Sequence, residues 1–311
     1  MRPSPAKLWA ALLTVYVLWG STYLGIKISV RTLPPLLSAG SRFLVAGLLL
    51  AAVLAVVRRP LRVPRHEALS AAGLGVTLLT FGVGVVTLAE TRIDSSIAAM
   101  IAGSVPLQVI AMRMIAREHV LRATRLAALV GLAGLALIVV PDSAGGGSTA
   151  FGLALMLAAS VSWSTGSFVS RRLALPRDPF VATVYEMLGG GVVLVAGALA
   201  LGEWRDLAEM PLDPGPLAAW LYLVVAGSLV GFTAYAWLLR NAPISQVVTH
   251  QYVNPLVAIA LGALLLDEHL TATTLAGAAV VIGAVFVTVR RERLAEAPAA
   301  GRAAPAPSRA R

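Results

Sequence analysis

The 311-residue sequence contains no cysteine, few charged residues and almost no lysine. Without cysteine the chain can form no disulfide bond, no thiolate metal site and no cysteine nucleophile. Asp, Glu, Lys and Arg make up only 13% of the residues, which is about half the charged fraction of a typical soluble domain. This composition therefore excludes a soluble fold. Lysine occurs only at Lys7 and Lys27, a bias that we interpret as genome composition without functional content.

The sequence is instead rich in apolar residues, glycine and proline. Hydrophobic residues account for 58% of the chain, with 28 Gly, 18 Pro and a mean hydropathy of +0.82. Glycine and proline are more frequent in transmembrane helices than in soluble ones. The net charge of +10 has two interpretations at this point: it marks an anionic partner such as nucleic acid, or it marks membrane orientation.

Apolar runs long enough to cross a bilayer recur along the whole chain. A hydrocarbon core about 30 Å thick needs about 20 apolar residues in a helix, and only a helix or a closed barrel satisfies its backbone groups in lipid. The first run is too long for the apolar region of a cleaved signal peptide. The sequence predicts an all-α integral membrane protein with ten transmembrane helices, near residues 9–29, 36–57, 68–89, 95–112, 126–141, 150–170, 179–201, 217–239, 245–266 and 271–289.

Basic residues are distributed unevenly between the loops that these ten spans define. If the N-terminus is cytoplasmic, 20 basic residues fall on the cytoplasmic side and only Arg31, Arg92 and Arg205 fall outside. Cytoplasmic loops of membrane proteins carry such an excess. The pattern therefore predicts that both termini are cytoplasmic, and it explains the net charge without a nucleic-acid partner.

The two halves of the chain carry the same pattern of residues. A shift of 144 residues aligns Trp19 with Trp163, and a shift of 149 aligns Pro106 with Pro255. Because each half holds five spans, the second half enters the membrane with inverted orientation, and transporters of this architecture bind substrate between the repeats. The predicted organisation is a cytoplasmic N-terminus (1–8), a first repeat (9–141), a Gly/Ser linker (142–149), a second repeat (150–289) and a basic disordered cytoplasmic tail (290–311).

Several of these residues form motifs of a known transporter group. The motifs are Leu18-Trp-Gly-Ser-Thr-Tyr23, Arg42-Phe43, and the spans of Pro106 and Pro255, which end at Glu118 and Glu268. They resemble the drug/metabolite transporter superfamily, and more narrowly its EamA-type exporters. The resemblance covers about residues 9–289. It implies a ten-helix inverted-repeat fold, alternating access, and export of amino acids, metabolites or toxic compounds across the bacterial cytoplasmic (inner) membrane. Glu186 stands where the first half has Arg42, so a site between the halves is expected to be asymmetric.

Ionisable residues deep inside the predicted spans are few. Arg42 and Glu186 fall in opposite leaflets, and we predict that they do not pair directly. Arg42 is interpreted as an intramembrane structural charge, with substrate contact as the alternative. Glu186 and His250 are candidates for proton coupling, because ionisable groups inside the membrane commonly serve as proton relays. For both, an interhelical hydrogen bond is the alternative.

Polar and aromatic residues near the middle of the spans form the predicted substrate cavity. His250 and Asn254 share a helix face one turn apart, beside the backbone carbonyl that Pro255 leaves free. Pro106 and Pro255 are the predicted hinges. Aromatic side chains around such a cavity suit apolar or cationic solutes, although lipid-facing packing of the tryptophans is an alternative. The predicted cavity residues are Trp19, Tyr23, Trp163, His250, Gln251, Tyr252 and Asn254.

Other function classes find less support. A membrane enzyme would need a nucleophile–base pair, but His250 is the one candidate base and the sequence has no Gly-x-Ser-x-Gly elbow. Without a P-loop the chain does not itself hydrolyse ATP. A channel-like facilitator is the nearer alternative. The sequence predicts a secondary exporter, driven by proton antiport or by the solute gradient, that needs no cofactor, nucleic acid or ATPase subunit. Its partners are a small-molecule substrate and the lipid bilayer, and it acts as a monomer or weak homodimer.

Overall fold

A computed structural model describes residues 4–93, 98, 101–139, 149–208, 213–265 and 272–296. Most of the linker and the end of the tail predicted above lie outside these ranges, as does Glu268. Within them the chain is helical and contains no strand. The main helices are α1 (Pro5–Ser29), α2 (Pro35–Val56), α3 (Arg65–Ala89), α4 (Val105–Ile115), α5 (Arg122–Val139), α6 (Ala150–Val169), α7 (Pro179–Ala200), α8 (Pro214–Asn241), α9 (His250–Leu265) and α10 (Ala272–Glu296). Shorter helical segments cover Ser170–Arg172, Glu203–Ala208 and Ile244–Val247.

The starts of these helices follow local sequence rules. Proline occupies the first turn of α1, α2, α7 and α8, where its missing N–H would have no helical partner in any case. The side chains of Asp178 and Asp213 cap α7 and α8 by accepting from the backbone N–H of Phe180 and Gly215. Local sequence therefore fixes where these apolar helices begin.

The helices have the length and surface of membrane spans. Among the described residues, α1, α2, α3, α6, α7 and α8 are long and apolar enough to cross a bilayer. Large apolar side chains also point outward, with Leu48 60%, Val56 82% and Ile282 59% exposed. Lipid accounts for such a surface, whereas water does not. These observations establish an all-helical, multi-pass membrane fold, and ten spans with cytoplasmic termini remain a prediction.

Helices α2 and α7 run antiparallel, and their contacts define the two ends of the bundle. At one end the backbone N–H of Leu37 donates to the Glu203 carboxylate over 2.8 Å. At the other end Arg59 pairs with Asp178 over 2.6 Å. We call these two ends the Glu203 face and the Asp178 face.

The first helix of each half packs against the other half of the chain. Helix α1 packs against α8 and α9 of the second half, and α6 packs against α3 and α4 of the first half. The repeat-related α2 and α7 also pack together, and Gly47 and Gly191 allow close approach, since a methyl group at either would lie within 3.1 Å of its neighbour. The space between the halves is therefore lined by both of them.

The middle of α3 and the middle of α8 are both π-helical. The segments are Val76–Gly84 and Leu223–Phe232, and they occupy corresponding positions in the two halves. A π-helical turn is wider than an α-helical turn and often marks a functional site. Both segments border the central cavity described below.

The two predicted hinge prolines differ in position. Pro106 lies in the first turn of α4, after a turn at Gly103–Ser104, where a proline is tolerated without a kink. The expected kink inside this span is therefore replaced by a helix break just before the proline. Pro255 lies inside α9. The hinge function of both prolines remains a prediction.

Candidate functional site

A cavity of about 100 Å³ lies between the two halves of the chain. Helices α1, α2, α3 and α4 line it from the first half, and α6, α8 and α9 line it from the second. It extends from Trp19 and Trp163 toward Ile26 and Val86, which lie near the ends of α1 and α3 at the Glu203 face. We call it the central cavity. Its position between the halves agrees with the arrangement that the repeat pattern predicts.

Four aromatic rings form the base of the central cavity. Trp19 lies 5.4 Å from Trp163, 4.9 Å from Tyr235 and 5.1 Å from His250, measured between ring centroids. The Trp19–Trp163 and Trp19–His250 contacts are edge-to-face, a favourable geometry for aromatic pairs. We call these four residues the aromatic cluster.

Each tryptophan of the aromatic cluster rests on the π-helical segment of the opposite half. The indole Nε1 of Trp19 donates to the backbone oxygen of Gly227 over 3.0 Å, and a Cβ added at Gly231 would lie 2.6 Å from the same nitrogen. A Cβ at Gly82 would lie 3.0 Å from the Trp163 ring. Glycine is therefore needed at these positions to let the indoles approach the backbone.

Beyond the aromatic cluster, buried polar groups close the cavity toward the Asp178 face. The Tyr235 hydroxyl shares a 2.5 Å hydrogen bond with Ser167, and the Tyr16 hydroxyl shares a 2.6 Å bond with Thr249. His250 is fully buried, and its Nδ1 lies 2.8 Å from the backbone oxygen of Val247. The central cavity thus lies on one side of the cluster, and these hydrogen-bonded side chains close it on the other.

The predicted cavity residues divide into three groups. Trp19, Trp163, Gln251 and Asn254 line the central cavity, and His250 contacts it through the aromatic cluster. Tyr252 lies elsewhere: its hydroxyl donates to the backbone oxygen of Ala128 over 2.7 Å and its ring packs against Gly131 of α5.

The side chain of Tyr23 lies outside the described part of the chain, so its predicted place in the cavity stays a prediction.

Arg42 and Glu186 face two different cavities. Arg42 lines the central cavity, and Glu186 lines a second cavity of about 250 Å³ together with Arg171 and Arg240. As predicted, the two charges form no ion pair with each other in the described residues. Glu186 is buried, and Arg240 beside it donates through Nη1 to the backbone oxygens of the 176–177 loop. The second cavity lies toward the Asp178 face.

An ionic cluster links the two halves at the Asp178 face. Glu118, after α4, accepts hydrogen bonds from Arg113 over 3.1 Å and from Arg172 at the end of α6. Arg113 also donates to the Ser245 hydroxyl of the second half. These contacts tie the ends of helices that line the central cavity.

Sequence reasoning missed Tyr235 and the contacts of Gln108 with Ser160 and Ser164 of the second half. Tyr235 is fully buried in the aromatic cluster, and the Gln108 amide donates to Ser104 and Ser160 and accepts from Ser164. Gln108 was recognisable only as a polar residue near Pro106. For Tyr235, a tyrosine in the interior of an apolar span was the available signal.

Comparison with known proteins identifies similar chains. The EamA-like transporter family matches twice, over residues 7–140 and 150–290. An uncharacterised inner membrane transporter, YedA of Escherichia coli K12, is 39% identical over 286 residues, which cover 91% of this chain and 90% of that protein. A probable amino-acid metabolite efflux pump of Salmonella typhimurium is 25% identical, covering 89% of this chain and 93% of the pump. A solved crystal structure with 20% identity superposes with a TM-score of 0.74 over 94% of this chain and all of that chain, which supports the fold.

Proposed function

The chain belongs to the EamA-like transporter family, and on that basis we propose that it is a secondary transporter that exports a small metabolite, amino acid or drug-like compound by alternating access. Family membership and the two transporter relatives place it among inner-membrane transporters rather than enzymes. The substrate, the direction of transport and the mechanism are our proposals.

The observation that carries this proposal is the symmetry of the central cavity. Trp19 and Trp163 come from corresponding first helices, each rests on the opposite half, and together they meet at the base of a single cavity. In an inverted repeat, exchange of conformations between the halves moves such a cavity from one side of the membrane to the other. The aromatic cluster would then be the barrier that changes side.

The direction of the cavity follows from the charge distribution. Arg59, Arg113 and Arg172 lie at the Asp178 face, which we assign to the cytoplasm because cytoplasmic loops carry excess Arg. The central cavity then extends toward the exterior, and the ionic cluster closes the cytoplasmic side. This is the conformation in which an exporter releases its substrate.

Coupling to protons through Glu186 forms part of the proposal. Its carboxyl is buried in a membrane-spanning helix, lines the cavity on the cytoplasmic side and lies near Arg240. Intramembrane carboxyls of this kind serve as proton carriers in pumps and transporters. Facilitated export down the solute gradient is the alternative, and it makes Glu186 a structural residue.

Counterflow in proteoliposomes tests the transporter proposal. Vesicles holding the full-length protein are preloaded in turn with amino acids, purine analogues and cationic dyes, and uptake of the labelled solute is measured. We expect trans-stimulated uptake for one class of solute. Trp163→Leu should reduce this uptake about tenfold or more, because each lost aromatic pair contributes about 0.5–1.5 kcal/mol. That is comparable to the free energy of a tenfold change. Trp204→Leu, at an exposed surface tryptophan, is the matched control. Uptake without trans-stimulation, together with high conductance, would instead favour a channel-like facilitator.

A further inference from the structure

Within the described part of the chain, four buried polar groups on the wall of the central cavity have no hydrogen-bond partner. They are Nε of Arg42, Nε1 of Trp163, Oε1 of Gln251 and Oδ1 of Asn254, on residues that are 6%, 7%, 8% and 3% exposed. A buried donor or acceptor without a partner is destabilising, and more so when it is charged. Two such donors and two such acceptors around one cavity are complementary to a ligand that supplies both an acceptor and a donor.

Arg42 is the charged member of this set. In the described residues its guanidinium forms no ion pair within 4.0 Å, and its Cζ lies 4.5 Å from the centroid of the Phe43 ring. A guanidinium presents five N–H donors in a fixed fork that matches a carboxylate in a bidentate arrangement. A structural arginine would use these donors on neighbouring carbonyl groups, as Arg240 does.

The charges near Arg42 favour an anion over a cation. Arg42 interacts electrostatically with the carboxylate of Glu90, the first residue after α3. Glu90 interacts in the same way with Lys27. These three side chains carry a formal charge of +1. Burial raises the pKa of the Glu90 carboxyl to about 7, and the attraction of Lys27 and Arg42 only partly opposes this shift. Near neutral pH the net charge of Glu90, Lys27 and Arg42 together is therefore more positive than the formal +1.

Gln251 and Asn254 present hydrogen-bond acceptors to a ligand, whereas Arg42 presents donors. Both belong to α9, one turn apart on one helix face, and their free atoms are amide oxygens that accept hydrogen bonds. An ammonium or N–H group of a ligand is a suitable donor. The indole rings of Trp19 and Trp163 line the same cavity and offer apolar surface.

We propose that the central cavity selects small amphipathic carboxylates over organic cations. Arg42 binds the carboxylate, Gln251 and Asn254 accept from an N–H donor of the ligand, and Trp19 and Trp163 contact its apolar group. This inference rests on the proposed transport function and adds the charge class of its substrate. It also changes the role of Arg42 from a structural charge to a binding residue.

Three probes with the same apolar group separate the charge requirements. Leucine carries a carboxylate and an ammonium, 4-methylpentanoate carries only the carboxylate, and leucinamide carries only the ammonium. None of them absorbs near 280 nm, so binding to the full-length purified protein can be followed by tryptophan fluorescence. We expect leucine to bind best, 4-methylpentanoate more weakly, and leucinamide at least about tenfold more weakly than leucine, because a hydrogen bond to a charged group contributes about 1.5–3 kcal/mol.

Substitutions then assign each contact. Arg42→Gln is expected to weaken leucine and 4-methylpentanoate by about 10- to 100-fold without weakening leucinamide, and Arg42→Lys to restore part of the affinity. Asn254→Leu is expected to weaken leucine but not 4-methylpentanoate. Arg92→Gln, at an exposed arginine that lies over Phe151 outside the cavity, is the matched control. Thermal unfolding and elution volume show whether each variant is folded, and Arg42→Lys keeps the test valid if Arg42→Gln is not.

Two results would overturn the inference when the probes bind. One is leucinamide binding as tightly as leucine, and the other is an unchanged ratio between the three probes in the Arg42 variants. If none of the probes binds while counterflow occurs with a cationic dye, the inference fails and the transport function stands. If counterflow fails for every solute class, the transport function itself fails.

Discussion

Gly231→Ala tests whether Trp19 is held by direct contact with the π-helical segment of α8. The added methyl carbon would lie 2.6 Å from Nε1 and 2.9 Å from Cδ1 of Trp19, well inside van der Waals contact. The indole must therefore move, which also breaks its hydrogen bond to the Gly227 oxygen. Overpacking costs about 1–3 kcal/mol and the lost hydrogen bond about 1 kcal/mol, whereas alanine regains about 1 kcal/mol of helix propensity. We expect a net destabilisation of about 2 kcal/mol.

The measurement is the free energy of unfolding of the purified protein in mixed micelles, with leucine binding measured in parallel. Gly197→Ala is the matched control, because a methyl group there meets no atom within 4 Å; its expected effect is a stabilisation of about 0.5–1 kcal/mol. Because Trp19 lines the cavity, Gly231→Ala should also weaken ligand binding. Equal stability of the two variants would refute the proposed packing of Trp19.

Three further perturbations have defined outcomes. Glu186→Gln should abolish the response of transport to an imposed pH gradient while leaving counterflow intact, and a retained response would exclude this carboxyl as the proton carrier. Glu118→Gln removes the negative charge and one of the two acceptor oxygens that Arg113 and Arg172 use. Because these groups are partly exposed, we expect a stability change of about 1 kcal/mol or less. The state open to the cytoplasm should become more populated, as measured by thiol labelling. Below a pH of about 7 Glu90 is protonated and no longer offsets Lys27 and Arg42, so 4-methylpentanoate should bind more tightly at pH 6 than at pH 8. Glu90→Gln should remove that difference, and an unchanged pH dependence would contradict the assignment.

The broad architecture was predictable because membrane helices and inverted repeats have strong sequence signals. The match of Trp19 with Trp163 at one shift, with the alternation of Arg-rich loops, was sufficient to place the cavity between the halves. Both tryptophans line it. The all-helical element type was predictable because each membrane helix must satisfy its backbone internally, so apolar length alone indicates a helix.

The details of the site were less predictable because they depend on which helix faces which neighbour. Tyr252 seemed equivalent to its neighbours Gln251 and Asn254, yet the rotation of α9 directs it toward Ala128. The π-helical turns in α3 and α8 have no composition signal that distinguishes them from α-helix, although they determine how the tryptophans pack. Arg42 was interpreted from its depth alone, and the binding role proposed for it rests on its buried Nε, which has no hydrogen-bond partner among the residues that the structure describes.

Side-specific labelling of one cavity thiol tests alternating access most directly. Because the chain has no cysteine, Val83→Cys places its sole thiol on the wall of the central cavity, and a membrane-impermeant maleimide can be added to right-side-out or inside-out vesicles. We predict labelling from the exterior, protection by leucine, and a shift toward labelling from the cytoplasm when Glu118→Gln is added. Equal labelling from both sides in every condition would contradict alternating access and indicate an open pore.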